Sequence, residues 1–557
     1  MNSAILAAIS LLLFYLGYKF YSQFISNKIY DLDDSIQTPA HEFEDGVDYV
    51  PANKHILFGH HFTSIAGAAP IIGPCIAVYW GWLPAILWVV LGTIFMGAVH
   101  DFGALVISLK EKGKSVADIS SQVINKRIRI MFLIFIMCLT WLVLAVFANA
   151  IAGLFTKYST AVLPINIEII VAMVIGYFIY KKKINAFIPS IIALGILYLF
   201  VWIGTYNPIN LESIGVDSDN VKHTWIILLF VYSAIASLIP VWILLQPRDY
   251  INSHQLIVGL GLIYLAIFYV QPQITAPMIH TPSDSPPIIP FLFVTIACGA
   301  ISGFHGLVSS GTTSKQLNKL QDSQQIGYGS MIGEGTLALA STIAAVAGIA
   351  LITQCDLPGV GHINDLNWSD YYSSWEQAAR NKALAFVWGG AALLETIGLS
   401  QTLARTLISV LVISFAATTL DTATRIQRFI ITEIGQATHI QPLKNKFLAT
   451  ALGVIPAYLL TINGTGWDLW PVFGASNQML AALTLMVLSI YFHNKQKSVY
   501  PLIIPMVFTM IITIWSLIYK GIDFWTHSNI LLLSINSFLF ILILWMIFEG
   551  VMHVYKK

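Results

Sequence analysis

Charge is what this sequence has least of. Only 10% of its 557 residues are Asp, Glu, Lys or Arg, where a soluble domain carries about 25%. That shortage excludes a water-exposed fold of this size. The near balance of 29 Lys and Arg against 28 Asp and Glu argues neither for nor against nucleic acid, but no basic, aromatic-bearing face is visible, and that partner is set aside. Cysteine is scarce too. Cys75, Cys138 and Cys298 fall inside apolar runs, Cys355 lies just past one, and no Cys-x-x-Cys pair occurs, so no disulfide framework and no metal site is expected. A phosphate-cradling loop is missing as well. The Gly-Lys-Ser at Gly113 to Ser115 has Ser108 where the first glycine must stand, and it follows a helical run, so a nucleotide-driven pump is excluded. Gly327, Gly329, Gly333 and Gly335 lie in an apolar run without βαβ context, which removes a dinucleotide site. No catalytic constellation is left, and an enzyme is not expected.

Hydrocarbon is what the sequence has instead. Apolar residues make up 57% of the chain, with a mean hydropathy of +0.74. Runs long enough to cross a core of about 30 Å recur from residue 4 to residue 553. They predict an all-α polytopic membrane protein of about 15 transmembrane spans, embedded in a lipid bilayer. The first spans are 4 to 26, 56 to 78, 80 to 109, 130 to 155, 165 to 181, 184 to 204 and 223 to 246. The rest are 254 to 272, 288 to 310, 327 to 353, 402 to 424, 446 to 463, 468 to 492, 500 to 519 and 529 to 553. The first run has no basic residue before it and no small-residue cleavage site after it, so a retained helix is expected. Trp80, Trp82, Trp467 and Trp470 fall at outer span ends and read as interface anchors.

One further run, 383 to 398, is short, contains Gly389 and Gly390 and carries Glu395. Cytoplasmic loops collect Lys and Arg. Leaving this run out of the count brings the clusters at Lys110 to Arg129, Lys181 to Lys183 and Arg425 to Lys446 to one side. It is therefore predicted as an outer re-entrant or surface helix, with the N-terminus outside and the C-terminus inside.

Residues 58 to 74 read FGHHFTSIAGAAPIIGP, which places two histidines, a Thr-Ser pair and three glycines in a membrane span. Such a stretch predicts a helix broken around Gly67 to Pro70, whose freed backbone groups could hold a small carboxylate and a cation. Five spans later, 223 to 246 carries Ser233, Ser237 and Pro240 and runs in the opposite direction. The pair predicts an inverted five-helix repeat. The corresponding division is 1–30 as an N-terminal helix, 31–55 as an acidic cytoplasmic segment, 56–204 as repeat one, 223–424 as repeat two with an outer segment at 354–400, and 446–557 as four further spans. Kinked helices without a repeat are the simpler alternative, since Gly and Pro are common in membrane helices. The substrate-binding candidates are Gly59, His60, His61, Thr63, Ser64, Gly67, Ser233, Ser237 and Pro240.

Six stretches carry a resemblance. VPANKHILFGHHFTSIAGAAPIIGP (50 to 74), GAVHDF (97 to 102), LIPVWILLQPRDY (238 to 250), SGTTSKQ (310 to 316), FAATTLDTATRIQR (415 to 428) and FGASNQMLAA (473 to 482) resemble the bacterial carbon starvation protein A family, CstA. The match spans about residues 30 to 490. It implies a multi-pass uptake transporter of the bacterial inner membrane with a core like LeuT and the amino acid, polyamine and organocation (APC) superfamily. It also implies proton-coupled pyruvate import, or peptide uptake, during nutrient limitation.

The polar positions can then be assigned expectations. His61, or His60 beside it, is a candidate proton carrier, because histidine changes charge near neutral pH. Adjacent helical residues point about 100° apart, so packing or capping is the plain reading for one of the two. Ser309, Ser310, Thr312 and Thr313 stand where such transporters present hydroxyls to sodium, or they cap a helix end. Ionisable residues at membrane depth are functional candidates by default. Of His100, Asp101, Asp249, His305, Glu334 and Asp421, the pair His305 and Glu334 lacks sequence-local partners and is the preferred proton relay. Arg248 with Asp249, and Asp421 with Arg425 four residues on, are expected as structural ion pairs. No cofactor is expected beyond a coupling proton, or a sodium ion in its place, and homo-oligomerisation is left open. A haem-binding redox protein is the remaining rival, since the 14 histidines include several at membrane depth, but no Cys-x-x-Cys-His and no i, i+4 pair among them supports it. Pyruvate moving with one proton would be electroneutral, whereas a zwitterionic peptide with one proton would gain about 2.3 kcal/mol per 100 mV.

Overall fold

The computed structural model describes residues 1–32, 36–357, 360–380, 383–462 and 469–555. Several helices begin on a repeated local signal. At one end of the bundle an Asn precedes a Lys three times, and each Asn side chain caps the first turn. Asn53 accepts from His55 N at 2.9 Å, Asn125 from Arg127 N at 3.0 Å and Asn445 from Phe447 N at 2.9 Å. The Asn satisfies an orphan amide while the Lys marks the membrane edge. This is the basic end of the bundle.

Among the described residues twelve helices are long and apolar enough to cross a membrane, and one bent pair makes up to thirteen spans. In chain order they are α1 (Ser3–Tyr30), the bent pair α2 (Lys54–Ile65) and α3 (Ala69–Trp80), and α4 (Trp82–Lys110). A short helix α5 (Val116–Val123) leads to α6 (Lys126–Lys157), α7 (Ser159–Lys181), α8 (Phe187–Tyr206), α9 (Ser218–Leu238) and α10 (Leu245–Val270). Two short helices, α11 (Ile288–Thr295) and α12 (Gly303–Gly311), precede α13 (Gln324–Leu351). A hairpin of β1 (Gln354–Leu357) and β2 (Gly361–Asn364) pairs Gln354 with Asn364 and leads to α14 (Leu384–Thr396). The remainder is α15 (Gln401–Ala437), α16 (Lys446–Leu459), α17 (Trp470–Asn494), α18 (Tyr500–Thr526) and α19 (Ile530–Tyr555).

Two of the fifteen expected spans take another form. The run 288 to 310 is divided into α11 and α12 by residues 296–302, and the run 446 to 463 contains only the 14-residue α16. The run 383 to 398 is α14, buried from Ala385 to Leu394 and packed on α10, α13 and α15. The tryptophans also differ from expectation. Trp80, Trp82 and Trp470 are buried, and Trp80 Nε1 donates to Pro286 O at 3.1 Å, so they pack inside the protein; Trp467 lies outside the described residues.

The helices pack in matching pairs. The two longest, α6 and α15, lie along each other, and α9 and α16 each touch both. α3, the second half of the bent pair, packs on α13, and α12 packs on α4. α10 lies on α2 and α15, while α17 lies on α12 and α6. The hairpin of α7 and α8 is added at one side, against α10 and α15.

Candidate functional site

The first break falls at residues 66–68, slightly before the expected Gly67 to Pro70, and turns the chain by 43°. Pro70 sits in the first turn of α3, where its missing N–H is no loss. Gly67 is required by close approach: a Cβ there would lie 2.6 Å from both Phe147 Cε1 of α6 and Thr419 Oγ1 of α15. The freed backbone is held by hydroxyls. Thr419 Oγ1 donates to Ser64 O at 3.2 Å, Ser64 Oγ lies 3.3 Å from Thr422 Oγ1, and Thr63 Oγ1 donates to Gly59 O at 2.8 Å.

The second break is residues 296–302, and nothing in the sequence reading placed it there. Its backbone is satisfied from outside. Asn477 of α17 accepts from Phe304 N at 2.8 Å and donates to Ser302 Oγ at 2.9 Å; Trp88 Nε1 donates to Ile296 O at 3.2 Å and Thr93 Oγ1 to Gly299 O at 3.1 Å. Gly97 admits this segment, because a Cβ would meet Ala300 O at 2.3 Å. The break expected in 223 to 246 is absent. α9 runs unbroken to Leu238, Ser233 Oγ and Ser237 Oγ donate back to Phe230 O and Ala234 O, and Pro240 lies in the turn before α10. A hydroxyl one turn down can satisfy its own helix, which is why the Ser pair does not break it.

Beside the first break lies a network built on an arginine. His60 Nδ1 donates to Asp249 Oδ2 at 2.6 Å, and Arg248 Nη2 donates to Asp249 Oδ1 at 3.0 Å. Arg248 Nη1 donates to Tyr232 Oη at 2.7 Å and to Asp421 Oδ2, and Tyr232 Oη also donates to Asp421 Oδ2 at 2.8 Å. Asp421 therefore pairs with Arg248 across the bundle and not with Arg425. Arg425 donates to Asp48 Oδ1 at 2.9 Å and to Ala236 O at 3.1 Å, so the expected i, i+4 pair gives way to tertiary partners. Gln316 Nε2 approaches His60 Nε2 at 3.5 Å, and Gln246 donates to Gln316 Oε1 at 2.5 Å.

A second network has no arginine or lysine bonded to it among the described residues. Asp101 accepts from two imidazoles, His100 Nδ1 at 2.7 Å and His305 Nδ1 at 2.9 Å. The far nitrogen of His305, Nε2, lies 3.3 Å from Glu334 Oε2, within ion-pair distance but off the hydrogen-bond line. All four side chains are fully buried. With His305 Nδ1–H donating to Asp101, a neutral ring offers only a lone pair at Nε2. A lone pair facing a carboxylate repels it, so one proton belongs between His305 and Glu334, on either partner. His61 lies on the neighbouring helix face and bonds through Nδ1 to Thr313 Oγ1 at 2.8 Å. Ser309 Oγ donates to Asp101 O at 3.3 Å, while Ser310 and Thr312 donate to Gly306 O and Val308 O of their own helix. The hydroxyls at the first break come instead from α15. The reading of single residues missed Thr419, Thr422, Tyr232 and Asn477, although FAATTLDTATRIQR and FGASNQMLAA were visible, and it passed over Glu168 in an apolar run.

At the basic end, residues 36–53 form a strap. Lys112 Nζ donates to Glu42 Oε1 at 2.7 Å, Arg425 holds Asp48, and Ala52 N donates to Gln316 O at 3.0 Å. Asp45 folds the strap on itself. Burial works against its charge, but the amides of Val47, Tyr49 and Asp48 outweigh it and hold the carboxyl below its usual value.

A many-span helical bundle whose two interrupted helices meet buried ionisable side chains is a multi-pass membrane transporter. The chain belongs to the carbon starvation protein CstA family, whose model matches residues 2–516. It is 31% identical to the peptide transporter CstA of Helicobacter pylori, over 93% of this chain and 82% of that one. It is 30% identical to the pyruvate/proton symporter BtsT of Escherichia coli, over 92% of this chain and 80% of that one. Against the peptide transporter CstA of Bacillus subtilis the identity is 29%, over 96% and 92% of the two chains. A crystal structure of the Eremococcus coleocola manganese transporter aligns at a TM-score of 0.41 and 14% identity, covering 92% of this chain and 99% of that one, a likeness too low to argue from. Relatives named as transporters and symporters fit a protein that is not an enzyme.

Proposed function

We propose that the protein imports a small carboxylate, pyruvate in the first instance, together with a proton across the bacterial inner membrane, with its N-terminus outside and its C-terminus inside. The observation that carries this reading is the His305–Glu334 contact, which needs one proton in a site to which no arginine or lysine is bonded among the described residues. His61, Thr63 and Ser64 line the first break beside it, and α3 turns its N-terminus, the positive end of its dipole, toward that break. Together these supply a carboxylate site and a proton site within one region.

The reading includes an inverted repeat, on boundaries set by packing. Repeat one would be α2 with α3, then α4, α6, α9 and α10; repeat two would be α11 with α12, then α13, α15, α16 and α17. What supports it is reciprocity. α3 lies on α13 as α12 lies on α4, α9 crosses α6 and α15 as α16 does, and α10 lies on α15 as α17 lies on α6. The divisions at 56–204 and 223–424 would then be replaced, because the α7–α8 hairpin is an insertion within repeat one.

Labelled pyruvate uptake into proteoliposomes under an inward proton gradient tests this. Uptake should follow the pH gradient and fall in both Glu334→Gln and His61→Ala. A peptide substrate is the second reading, favoured by relatives that carry the name peptide transporter. Uptake of a dipeptide but not of pyruvate would establish it. Uptake driven by a sodium gradient alone would overturn the proton relay.

A further inference from the structure

Glu168 takes no part in the relay described above. It projects from α7, in the inserted hairpin, and is buried, with its Oε2 accepting from Ser414 Oγ of α15 at 2.9 Å. It lines a cavity of about 100 Å³ with Asn166, Tyr232, Arg248 and Ser414, the room of roughly three waters. Apolar side chains such as Phe155, Ile169 and Leu229 form the other walls.

The charges around this cavity do not balance. Arg248 and Asp249 come from α10, Asp421 from α15 and Tyr232 from α9, while α8 and the adjacent face of α6 contribute no charged residue. The guanidinium of Arg248 is bonded to Asp249 and Asp421, so two aspartates already face its single charge. Glu168 is the third carboxyl, and no basic group is bonded to it among the described residues. An ionised carboxylate in that position would have the Ser414 hydroxyl and the Asn252 amide in place of water, beside an arginine whose charge two aspartates already share, and burial then favours the neutral acid.

We infer that Glu168 is a second proton-binding residue of this transporter, holding its proton in the cavity between α7, α9 and α15. On release the Glu168 O–H bond breaks and the proton passes to water entering the cavity, leaving a carboxylate that keeps the Ser414 hydroxyl as donor. Coupling to transport runs through α15. Ser414, which contacts Glu168, stands one turn from Thr418, which accepts from Asn252 Nδ2 at 3.2 Å, and the next residue, Thr419, holds the first break. The site is separate from His305 and Glu334 and would add one charge to each transport cycle. Only this transport arm rests on the proposed proton-coupled uptake.

Infrared difference spectra of the purified full-length protein in lipid, recorded across a pH step, test the protonation directly. A carbonyl band of a buried carboxylic acid should vanish in Glu168→Gln, persist in Glu334→Gln and shift in Glu168→Asp. A spectrum unchanged by Glu168→Gln overturns the inference, and the Asp variant reports on it if the Gln variant does not fold. In proteoliposomes the charge moved per molecule of substrate, pyruvate or dipeptide alike, should drop by one elementary charge in Glu168→Gln; an unchanged ratio also overturns it. Loss of all proton-driven uptake with the Glu168 band intact would instead overturn the functional reading and leave this site standing.

Discussion

One of the two buried networks contains an arginine and the other does not. Around Arg248, two aspartates and a tyrosine converge on a group that never loses its proton, and His60 joins them through Asp249. Around His305, among the described residues, the groups that can carry positive charge are imidazoles, each of which can become neutral. The first arrangement fixes where charge sits, and so joins α2 and α15 through α10. The second lets charge come and go while the backbone stays, as a proton-coupled site requires. Both lie next to a break, so placement alone does not separate scaffold from relay; the presence of a fixed cation does.

Removing the fixed cation should have the largest effect. Arg248→Ala leaves Asp249 and Asp421 buried without their partner, at a cost of about 3–5 kcal/mol, and should read out as loss of folded protein on size exclusion and in thermal unfolding. Combining Arg248→Met with Asp249→Asn and Asp421→Asn should recover much of that stability, because a network neutralised as a whole leaves no orphan charge. If the triple variant is as unstable as Arg248→Ala, the arginine does more than balance charge. In the other network the effect should fall on transport and spare the fold. Glu334→Gln should lower proton-driven accumulation roughly hundredfold while leaving substrate exchange across the membrane, which moves no net proton. Loss of exchange as well would make Glu334 a structural residue and erase the contrast.

The sequence carried part of this distinction. Hydropathy and the Asn-Lys pairs delimit most spans, and His305 and Glu334 stood out as ionisable residues at membrane depth without local partners. Their meeting at 3.3 Å is tertiary, since they lie on α12 and α13 either side of a long turn. Partner choice was less legible. Spacing paired Asp421 with Arg425, but the strap residue Asp48 takes Arg425 and leaves Asp421 to Arg248. The second break was illegible for the same reason. Its own residues, IACGAIS, hold no proline, and the unwinding depends on Asn477, Trp88, Thr93 and Gly97, which come from α17 and α4. Pro240, a far louder signal, merely follows the end of α9.

Asn477 offers the next test of that contrast between local and tertiary causes. Asn477→Ala should leave Phe304 N unsatisfied in an apolar interior, at a cost of about 1–3 kcal/mol. Hydrogen exchange should accelerate at residues 302–304 and remain slow at the first break, which Thr419 holds independently. Asn477→Asp keeps the acceptor and should restore protection at Phe304 while losing the donor to Ser302.

The smallest effect belongs to the strap, whose carboxylates Asp45 and Asp48 reach water, unlike those of the two buried networks. Asp48→Asn should weaken the closure over Arg425 less than Arg248→Ala disturbs its network, since Asp48 is partly exposed and the buried Arg425 keeps the carbonyls of Ala236 and Ile239 as acceptors. Asp45 sets the pH at which the strap loosens. Its carboxyl lies below the ordinary Asp value of 3.8 in the folded protein, so its contribution is complete above that value and is lost as the pH falls through the lower folded one. Limited proteolysis should therefore begin cutting residues 36–53 at a higher pH in Asp45→Asn than in the wild type, which should stay closed until acid reaches Asp45. Because that window lies far below neutrality, the Asp45 turn stays closed at neutral pH. Transport that changed between pH 6 and 8 with an unaltered cleavage pattern would then trace to the buried proton-binding groups and not to the surface charges.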